Sequence, residues 1–393
     1  MRRIYLDYTA TTPVDKRVVQ AMAPFFTETF GNASSIHSYG REAKAALESA
    51  RESIAPLMGA RPSELFFTSG GTESDNSALT GIVLAHSGSG RNHIVISSIE
   101  HHAVLHAAKN LERKGIDVTL LPVDEYGFVS PDELRKAVTD RTLLVSIIHA
   151  NNEIGSTQDL KTLASIVHGA GAFFHTDAVQ SFGKIPFSVA ESEVDLASFT
   201  AHKIYGPKGI GALYVKRGIE FVPTFHGGSQ ERNRRPGTES VPLAVGFAKS
   251  AELSVQEMPE ELARLSSLNK LLRKRIGDEV PGVVFNSPVD RALPNILNVS
   301  IDSSEIEIDG EALIINMDLE GVAVTSGSAC SSGSLQPSHV IKALGRDDRT
   351  TNATVRFSFG RFTSEEEVQT AADTFVRIVA RIGKRKKISS PAS

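Results

Sequence analysis

The sequence predicts an α/β protein in which a large domain with a mostly parallel central sheet is joined to a smaller α+β domain. From about residue 64 to residue 215, short apolar runs alternate with helical stretches, the pattern of strands joined by crossover helices. Several runs are apolar throughout, as expected for strands covered on both faces. The predicted strands are residues 65–68, 93–97, 118–121, 143–149, 172–176, 196–199 and 210–215.

Helices of the large domain are indicated by periodicity and by start and stop signals. Apolar residues recur at helical spacing over residues 40–58, and Gly59 ends that segment. The string SPDE at residues 130–133 combines a cap, a proline at the first helical position and an acid three residues after the cap. We therefore expect amphipathic helices between the strands.

Beyond residue 240 the pattern changes. Residues 241–256 and 260–276 predict two helices that bridge to a second unit. From about residue 281, strand and helix are predicted to alternate three times, and the last helix opens with a capping box at residues 363–366. We place the large domain at residues 15–255 and the small domain at residues 1–14 and 256–393.

Composition narrows the classes of function. The chain has 393 residues, 40% hydrophobic and 22% charged, with a formal net charge of −4, which gives no reason to expect direct nucleic-acid binding. Its single cysteine excludes an intrachain disulfide and a cysteine-rich metal site. No apolar signal region and no run of about 18 apolar residues occurs, so we expect a cytoplasmic protein without membrane contact. The basic run at residues 384–387 is typical of a solvated tail.

A glycine-rich turn, SGGTES at residues 69–74, separates a predicted strand from a helical stretch over residues 75–85. Such a turn places free backbone N–H groups at a helix N-terminus, which favours a phosphate, and Thr72 can add a hydroxyl. An ordinary turn has the same composition, so this motif alone leaves both interpretations open.

Lys203 lies between a strand of the buried type and a Gly-Pro turn, in FTAHKIYGPKG at residues 199–209. Desolvation and neighbouring cations lower the pKa of a lysine held there, as Schiff-base formation requires. Thr200 and His202 are placed to donate to a phosphate. The competing interpretation is a surface loop with a solvated lysine.

Polar residues follow three further predicted strands, where active sites of open α/β sheets gather. Asp177 can pair with a pyridinium nitrogen, and Gln180 can reach the phenolic oxygen of the same ring. A histidine of SIEHHA (98–103) can lie over a flat cofactor or act as an acid or base. The string NNE at residues 151–153 ends another strand. Asp177 alone would also suit a helix cap, but together these groups predict one cofactor site.

The single cysteine, Cys330, lies in TSGSACSSGSL at residues 325–335. Glycine and serine predict a loop with conformational freedom, which argues against the buried, inert cysteine that is the ordinary alternative. Arg356 lies in a strand-like run at residues 354–359, where a guanidinium group can orient an amino-acid substrate through its carboxylate. A surface ion pair is the alternative for Arg356.

The string SFTAHKIYGPKGIGAL, with HTDAVQS before it and SGSACSSGSLQPSHV after it, resembles the cysteine desulfurases of the NifS/IscS type. The resemblance covers nearly the whole chain, through YLDYTATTPVD (5–15), GNASSIH (31–37), SGGTESDN (69–76), IEHHAV (99–104), NNEIG (151–155) and VRFSFGRFT (355–363). These enzymes form a class V branch of the pyridoxal-phosphate-dependent transferases, so the resemblance implies fold type I.

The resemblance assigns cofactor roles. Lys203 would bind pyridoxal 5′-phosphate covalently, Asp177 would hold the ring nitrogen, and Gln180 would hold the ring hydroxyl. His101 would stack on the ring and move protons. The phosphate would be held by Gly71, Thr72, Thr200 and His202. In this family the neighbouring subunit also contributes a phosphate contact, here Thr238, so a homodimer is implied.

The resemblance also assigns the reaction. Asn152, beside the cofactor, and Arg356 would hold the carboxylate of L-cysteine, and Cys330 would take its sulfur as a persulfide and leave L-alanine. The sulfur would pass to an acceptor such as an iron–sulfur scaffold or a tRNA-thiolation relay protein. No metal bound by the protein alone is implied, and transient attachment of cluster iron at Cys330 stays open. The alternatives are a selenocysteine lyase or aminotransferase of the same fold, or a catalytically idle scaffold.

Small departures from the family pattern accompany the resemblance. Ala33 replaces the usual proline of GNASSIH, and Thr200 and Ala201 stand where serine and glycine are common, so the hydroxyl is kept. The cysteine loop is long, as in the NifS/IscS group rather than the SufS group. The tail at residues 384–393 does not match the one by which housekeeping members engage their scaffold.

Overall fold

The computed structural model describes residues 3–326 and 337–385. The strands in this part are β1 (Ile4–Tyr5), β2 (Leu65–Thr68), β3 (His93–Ser97), β4 (Asp117–Leu121), β5 (Thr142–Ser146), β6 (Phe173–Asp177), β7 (Leu196–Thr200), β8 (Gly211–Val215), β9 (Val283–Phe285), β10 (Ile296–Ile301), β11 (Ile306–Glu307), β12 (Val322–Ala323), β13 (Thr354–Ser358) and β14 (Lys384–Arg385). The helices are α1 (Lys16–Met22), α2 (Pro24–Thr27), α3 (Ser38–Leu57), α4 (Gly71–Ala85), α5 (His102–Glu112), α6 (Pro131–Ala137), α7 (Leu160–Gly169), α8 (Gln230–Asn233), α9 (Val241–Glu279), α10 (Gly310–Leu319), α11 (His339–Ala343), α12 (Asp348–Asn352) and α13 (Glu365–Ile382).

A seven-stranded sheet forms the centre of the large domain, with the strand order β2-β8-β7-β6-β5-β3-β4. Strands β7 to β4 pair in parallel, whereas β8 runs antiparallel to both of its neighbours. Successive side chains of a strand point to opposite faces. Both faces are covered, since Val95 and Val145 lie in one buried cluster and Ile94 and Leu144 lie in another. The predicted mostly parallel α/β sheet is therefore confirmed.

Local signals placed the ends of two large-domain helices within two residues. The helix predicted at residues 40–58 is α3, which buries Leu47 and Ile54. Ser130 caps α6 as predicted, because its hydroxyl accepts a hydrogen bond from the Glu133 N–H. Caps of this kind satisfy backbone groups that a helix leaves unpaired at its ends.

The two helices predicted at residues 241–256 and 260–276 are one continuous helix of 39 residues, α9. Pro259 lies inside it, where a proline removes a backbone hydrogen bond at a cost of about 3 kcal/mol. Packing along both halves offsets that cost, because Phe247 is buried in the large-domain core and Leu272 in the small-domain core. The prediction of two helices was wrong because it weighed the proline without these tertiary contacts.

The small domain contains the antiparallel sheet β13-β10-β9, whose core also takes in side chains of α10 and α13. The predicted alternation of strand and helix was wrong, since β9, β10 and β11 all precede α10.

The last helix of the small domain, α13, is capped one residue later than predicted, by Ser364 with Glu367 completing the capping box. Lys384 and Arg385, predicted to lie in a solvated tail, form β14 against β11.

The first residues of the chain connect the two domains. β1 pairs with β12, and Ile4 and Leu6 lie in the small-domain core. The chain then passes along the large domain, where the Thr12 N–H donates to the His202 carbonyl at 3.0 Å. The domain limits given above stay a prediction. Among residues 3–326 and 337–385, no helix combines the length and the apolar character that crossing a membrane requires.

Candidate active site

A cavity of about 430 Å³ lies where the carboxyl ends of the parallel strands meet. That volume falls in the range of about 300–1,000 Å³ that is typical of small-molecule sites. Residues singled out in the sequence line it together: Gly71, Thr72, His101, Asn152, Asp177, Gln180, Thr200, His202, Lys203 and Arg356. Arg356 comes from β13, so the small domain forms one wall.

The N-terminus of α4 forms one part of the cavity wall. Gly71 is the first residue of this helix, and a Cβ atom there would come within 2.7 Å of Cγ2 of Val179. Glycine therefore lets the helix start approach the loop after β6. The first N–H groups of a helix have no intrahelical partner and attract anions. With the Thr72 hydroxyl beside them, they make this wall suitable for a phosphate.

Thr200 and His202 line the same cavity from the end of β7. The Thr200 hydroxyl donates to the Ile210 carbonyl at 3.1 Å, which fixes the side chain in place. Burial, followed by the charge of Lys203, lowers the pKa of His202 to about 3. The imidazole is therefore neutral at neutral pH.

Lys203 extends from the 3₁₀ turn Ala201–Lys203 into the cavity. Its ammonium group donates to the backbone carbonyls of Thr9 at 2.5 Å and Ala10 at 2.8 Å. Burial, followed by the charge of Arg356, lowers the pKa of Lys203 to about 8. Roughly a tenth of the amine is then uncharged at pH 7, against a negligible fraction for an ordinary lysine. The uncharged amine is the nucleophilic form.

Two buried carboxyl groups face the cavity. Asp177 ends β6 and accepts a hydrogen bond from the Val179 N–H at 2.8 Å, whereas Oδ1 of Asp75 has no hydrogen-bond partner in the described part of the chain. Burial raises the pKa of Asp177 to about 6, and burial with the charge of Asp177 raises the pKa of Asp75. A cationic ring nitrogen beside Asp177 would favour the ionised form of that carboxyl group.

His101 caps α5, since its Nδ1 accepts a hydrogen bond from the Ala103 N–H at 3.1 Å. Burial, followed by the charge of Lys203, lowers the pKa of His101 to about 4. The ring is thus neutral at neutral pH and carries its proton on Nε2. A neutral imidazole of this tautomer can lie on a flat cofactor and exchange a proton at Nε2.

Arg356 has one side of its guanidinium group free. It donates to Oδ1 of Asp7 at 2.8 Å and to the Asn152 carbonyl at 2.9 Å. Its Nε is buried and has no partner among residues 3–326 and 337–385. The Asn152 side chain lines the cavity beside it. A guanidinium group at a cavity wall is suited to a carboxylate ligand.

Cys330 lies outside the described residues, but the chain on either side of residues 327–336 lies at the cavity. Thr325 precedes this segment, and its carbonyl accepts a hydrogen bond from the Arg356 N–H at 2.6 Å. Ser338 follows it, caps α11 and donates to the buried Glu153 at 2.6 Å. Thr325 therefore belongs to the cavity wall, and Ser338 is hydrogen-bonded to a residue of that wall.

Thr238 is exposed and is not among the residues that line the cavity of this chain. Arg235, three residues earlier, pairs with Glu73 in the first turn of α4 at 2.9 Å. This ion pair attaches the segment that carries Thr238 to the helix that begins at the cavity.

Sequence reasoning missed Asp7, Asp75 and the carbonyl group of Thr9. Asp75 follows Thr72 by three residues, a spacing that places both on one face of a helix, and that signal was available. Asp7 shows no pattern that distinguishes it from other aspartates. The Thr9 carbonyl is a backbone group, so residue types carry no signal for it.

The family model described as aminotransferase class-V matches residues 4–370. The chain belongs to the class-V aminotransferase family. It is similar to a cysteine desulfurase IscS of Dictyoglomus turgidum, with 46% identity over 97% of this chain and 95% of that protein. A solved structure titled NifS-like protein has a TM-score of 0.90 at 38% identity, covering 97% of this chain and 100% of the other. A second, titled SspA in complex with cysteine, has a TM-score of 0.80 at 35% identity, covering 92% and 100%.

These class-V relatives confirm the predicted family and the predicted fold type I. The identity of 46% over nearly the whole length means that the resemblance is not confined to the cofactor site. The roles assigned to individual residues stay predictions.

Proposed function

We propose that this chain is a cysteine desulfurase that removes sulfur from L-cysteine, leaves L-alanine and holds the sulfur as a persulfide on Cys330. One observation carries the proposal: a lysine with a pKa near 8 shares a cavity with an arginine. The first group suits covalent attachment of a carbonyl cofactor, and the second suits the carboxylate of an amino acid. The relatives named cysteine desulfurase support the same activity.

The cavity fits pyridoxal 5′-phosphate by the chemistry of its walls. The start of α4, with Gly71 and Thr72, would hold the phosphate together with Thr200 and His202. Asp177 would meet the ring nitrogen, Gln180 the ring hydroxyl, and His101 the ring face. When bound, this cofactor supplies an electron sink for the bonds around the substrate α-carbon.

The residues of this chain would orient the substrate and move its protons. Arg356 would bind the carboxylate through its guanidinium group, and Asn152 would lie beside it. Lys203, once its amine is free, would take the α-proton, because a group with a pKa near 8 both accepts and returns a proton near neutral pH. His101, neutral and protonated on Nε2, would handle protons on the other groups of the substrate.

Sulfur transfer would need Cys330 as a thiolate, since the thiolate is the nucleophile. Its sulfur would attack the substrate sulfur, so that an S–S bond forms while the bond between the substrate sulfur and Cβ breaks. The hydrogen bonds of Thr325 to Arg356 and of Ser338 to Glu153 support this role, because Arg356 and Glu153 both line the cavity.

We further propose a homodimer in which Thr238 contacts the cofactor phosphate of the other subunit. The exposure of Thr238 and its absence from the residues that line the cavity of its own chain support this arrangement. Exposed apolar side chains between α2 and α3 support an interface as well, since Ile36 is 91% exposed and the exposed rings of Phe30 and Tyr39 lie 5.6 Å apart.

The remaining assignments concern the sulfur acceptor and the compartment. The acceptor would be an iron–sulfur scaffold or a tRNA-thiolation relay protein, with no direct nucleic-acid contact. A single cysteine suits a reducing compartment such as the cytoplasm, where the thiol stays available.

The test is to mix purified protein with L-cysteine and a thiol reductant and to measure sulfide and alanine together. Wild type should form the two products in equal amounts, and Cys330→Ala should lose most of both. Ser331→Ala, which alters the neighbouring side chain, is the matched control and should keep its activity. Unchanged product formation by Cys330→Ala would remove Cys330 as the nucleophile and favour a lyase or aminotransferase.

A further inference from the structure

The side-chain amide of Gln180 lies between two groups whose hydrogen-bonding roles are fixed. Its Nε2 donates to the Thr9 carbonyl at 2.9 Å, and its Oε1 accepts from the Lys184 amine at 2.7 Å. An ammonium group can only donate, and a backbone carbonyl can only accept. The neighbours therefore dictate which end of the amide is oxygen and which is nitrogen.

This orientation decides what Gln180 offers to the cavity. Gln180 is 3% exposed and lines the cavity beside Lys203. The amide nitrogen carries two N–H groups, and Thr9 occupies one of them. A reversed amide would set its oxygen against the Thr9 carbonyl, a repulsive contact at any pH, and its N–H groups against Lys184, a repulsive contact when that amine is protonated. The group left for a ligand is therefore a donor.

Apart from its hydrogen bond to Gln180, no side-chain contact in the described part of the chain suggests a function for Lys184. It is partly buried at a narrow side pocket that Lys203 also lines, and no carboxylate pairs with it in the described part of the chain. Burial, followed by the charge of Lys203, lowers the pKa of Lys184 to about 7. A buried amine without a counter-ion costs stability. The hydrogen bond from Lys184 to Gln180 therefore indicates what this lysine does.

We infer that Lys184 is a positioning residue that fixes the Gln180 amide so that an N–H meets the ring hydroxyl oxygen of the bound cofactor. The inference rests on the proposed function, which assigns Gln180 to that oxygen. A donor favours the ionised oxygen, whereas the amide oxygen would repel it. Lys184 thereby sets, through Gln180, the pH at which the bound cofactor loses its proton.

The test is a pH titration of the visible absorption of the cofactor in the holoenzyme. Lys184→Met keeps the length of the side chain but removes one of the two contacts that hold the amide, so that the Thr9 carbonyl alone orients it. The N–H is then held less firmly against the ionised ring oxygen, so the titration midpoint should rise by up to about one pH unit, a tenfold shift in the equilibrium. Lys184→Gln can donate or accept and should give a smaller rise. Lys216→Met, which removes a partly exposed lysine after β8, is the control and should leave the midpoint unchanged.

A double-mutant cycle separates positioning from a direct effect of the lysine charge. In a Gln180→Leu background, Lys184→Met should shift the midpoint no further, because the amide through which it acts is gone. A full shift in that background, or no shift in the single variant, overturns the inference. If Lys184→Met does not fold, Lys184→Gln carries the same comparison. Absence of sulfide and alanine from wild type would count against the proposed function instead, since the titration does not depend on turnover.

Discussion

Arg51 and Arg356 are buried to a similar degree, at 2% and 4% exposed, but their partners differ. Arg51, on α3, donates to both carboxylate oxygens of Glu231 at 2.7 and 2.8 Å, and its Nε donates to Glu48 at 3.2 Å. Arg356, on β13, donates to Asp7 and to a backbone carbonyl, and its Nε has no partner in the described part of the chain.

The difference separates a structural charge from one available to a ligand. Every nitrogen of the Arg51 guanidinium group is used, and its partner Glu231 has a positive φ of 44° that the ion pair helps to hold. Nothing can be added at Arg51 without breaking a bond. An incomplete set of partners on a buried polar group calls for an explanation. At Arg356 the cavity bears on that explanation, because the residue lines it and its guanidinium group lies beside space for a carboxylate.

The largest effect on stability is expected from Arg51→Met. It leaves Glu231 as a buried, unpaired carboxylate, which should lower the free energy of unfolding by about 3–5 kcal/mol. Urea denaturation of the holoenzyme measures it. The double variant Arg51→Met with Glu231→Met should recover most of the loss, and a double variant no more stable than the single one would contradict this account.

A smaller loss, of substrate binding rather than stability, is expected from Arg356→Lys. Lysine keeps the charge but loses the planar fork, so kcat/KM for L-cysteine should fall by about 10- to 100-fold, or about 1.5–3 kcal/mol, mainly through KM. Steady-state kinetics and urea denaturation should be run together. If Arg356→Lys lost as much stability as Arg51→Met, Arg356 would be a structural arginine like Arg51, and the proposed difference between them would be refuted.

Replacing Arg356 by methionine is expected to shift the pKa of Lys203 by about one unit or less. Because the charge of Arg356 helps to lower the pKa of Lys203, its removal should raise that pKa from about 8. Cofactor capture by the apo-protein, followed by absorbance, should then reach half its maximal rate at higher pH.

The same pKa has a consequence for the stability of the apo-protein. The unfolded state binds more protons at Lys203 between pH 8 and about 10.4, so the free energy of unfolding should rise with pH across that window. Arg356→Met should flatten the rise, whereas Arg51→Met should leave its slope unchanged. An identical slope in all three proteins would show that Arg356 does not act on Lys203.

The smallest effect is expected from Asp7→Asn. The asparagine amide can still accept a hydrogen bond from Arg356 through its oxygen, but the negative charge that competes with the substrate carboxylate is gone. KM for L-cysteine should fall by roughly two- to fivefold, a change below about 1 kcal/mol. A rise in KM would mean instead that Asp7 is needed to orient Arg356.

Much of the site could be predicted because its side chains follow strand ends. Asp177, Thr200 and Lys203 each lie at or just beyond the end of a buried strand, and the parallel sheet brings such ends together. The unpaired Nε of Arg356 could not be predicted, since it depends on which partners tertiary packing supplies. The orientation of the Gln180 amide is equally invisible, because it is set by a backbone carbonyl and by a lysine four residues away.

In the fold as well, the elements set by local sequence signals were predicted and those set by tertiary contacts were missed. Caps and apolar runs predicted α3, α6 and the sheet, where local and tertiary preferences agree. The single helix α9 was missed because Pro259 opposes it locally and two separate cores favour it. The order of the small domain was missed because its short strands carry weak periodicity, and β14 pairs only through a partner far along the chain.

The pairing of β1 with β12 has a consequence for synthesis on the ribosome. Ile4 and Leu6 are made long before Val322 and Phe357, which the core that covers them needs. At about 5–20 residues per second, they wait roughly a quarter of a minute to a minute for these partners. The carbonyl groups of Thr9 and Ala10, which hold the Lys203 amine, follow the same strand. A nascent chain with a finished large sheet would therefore lack its catalytic centre until Val322 and Phe357 had been made.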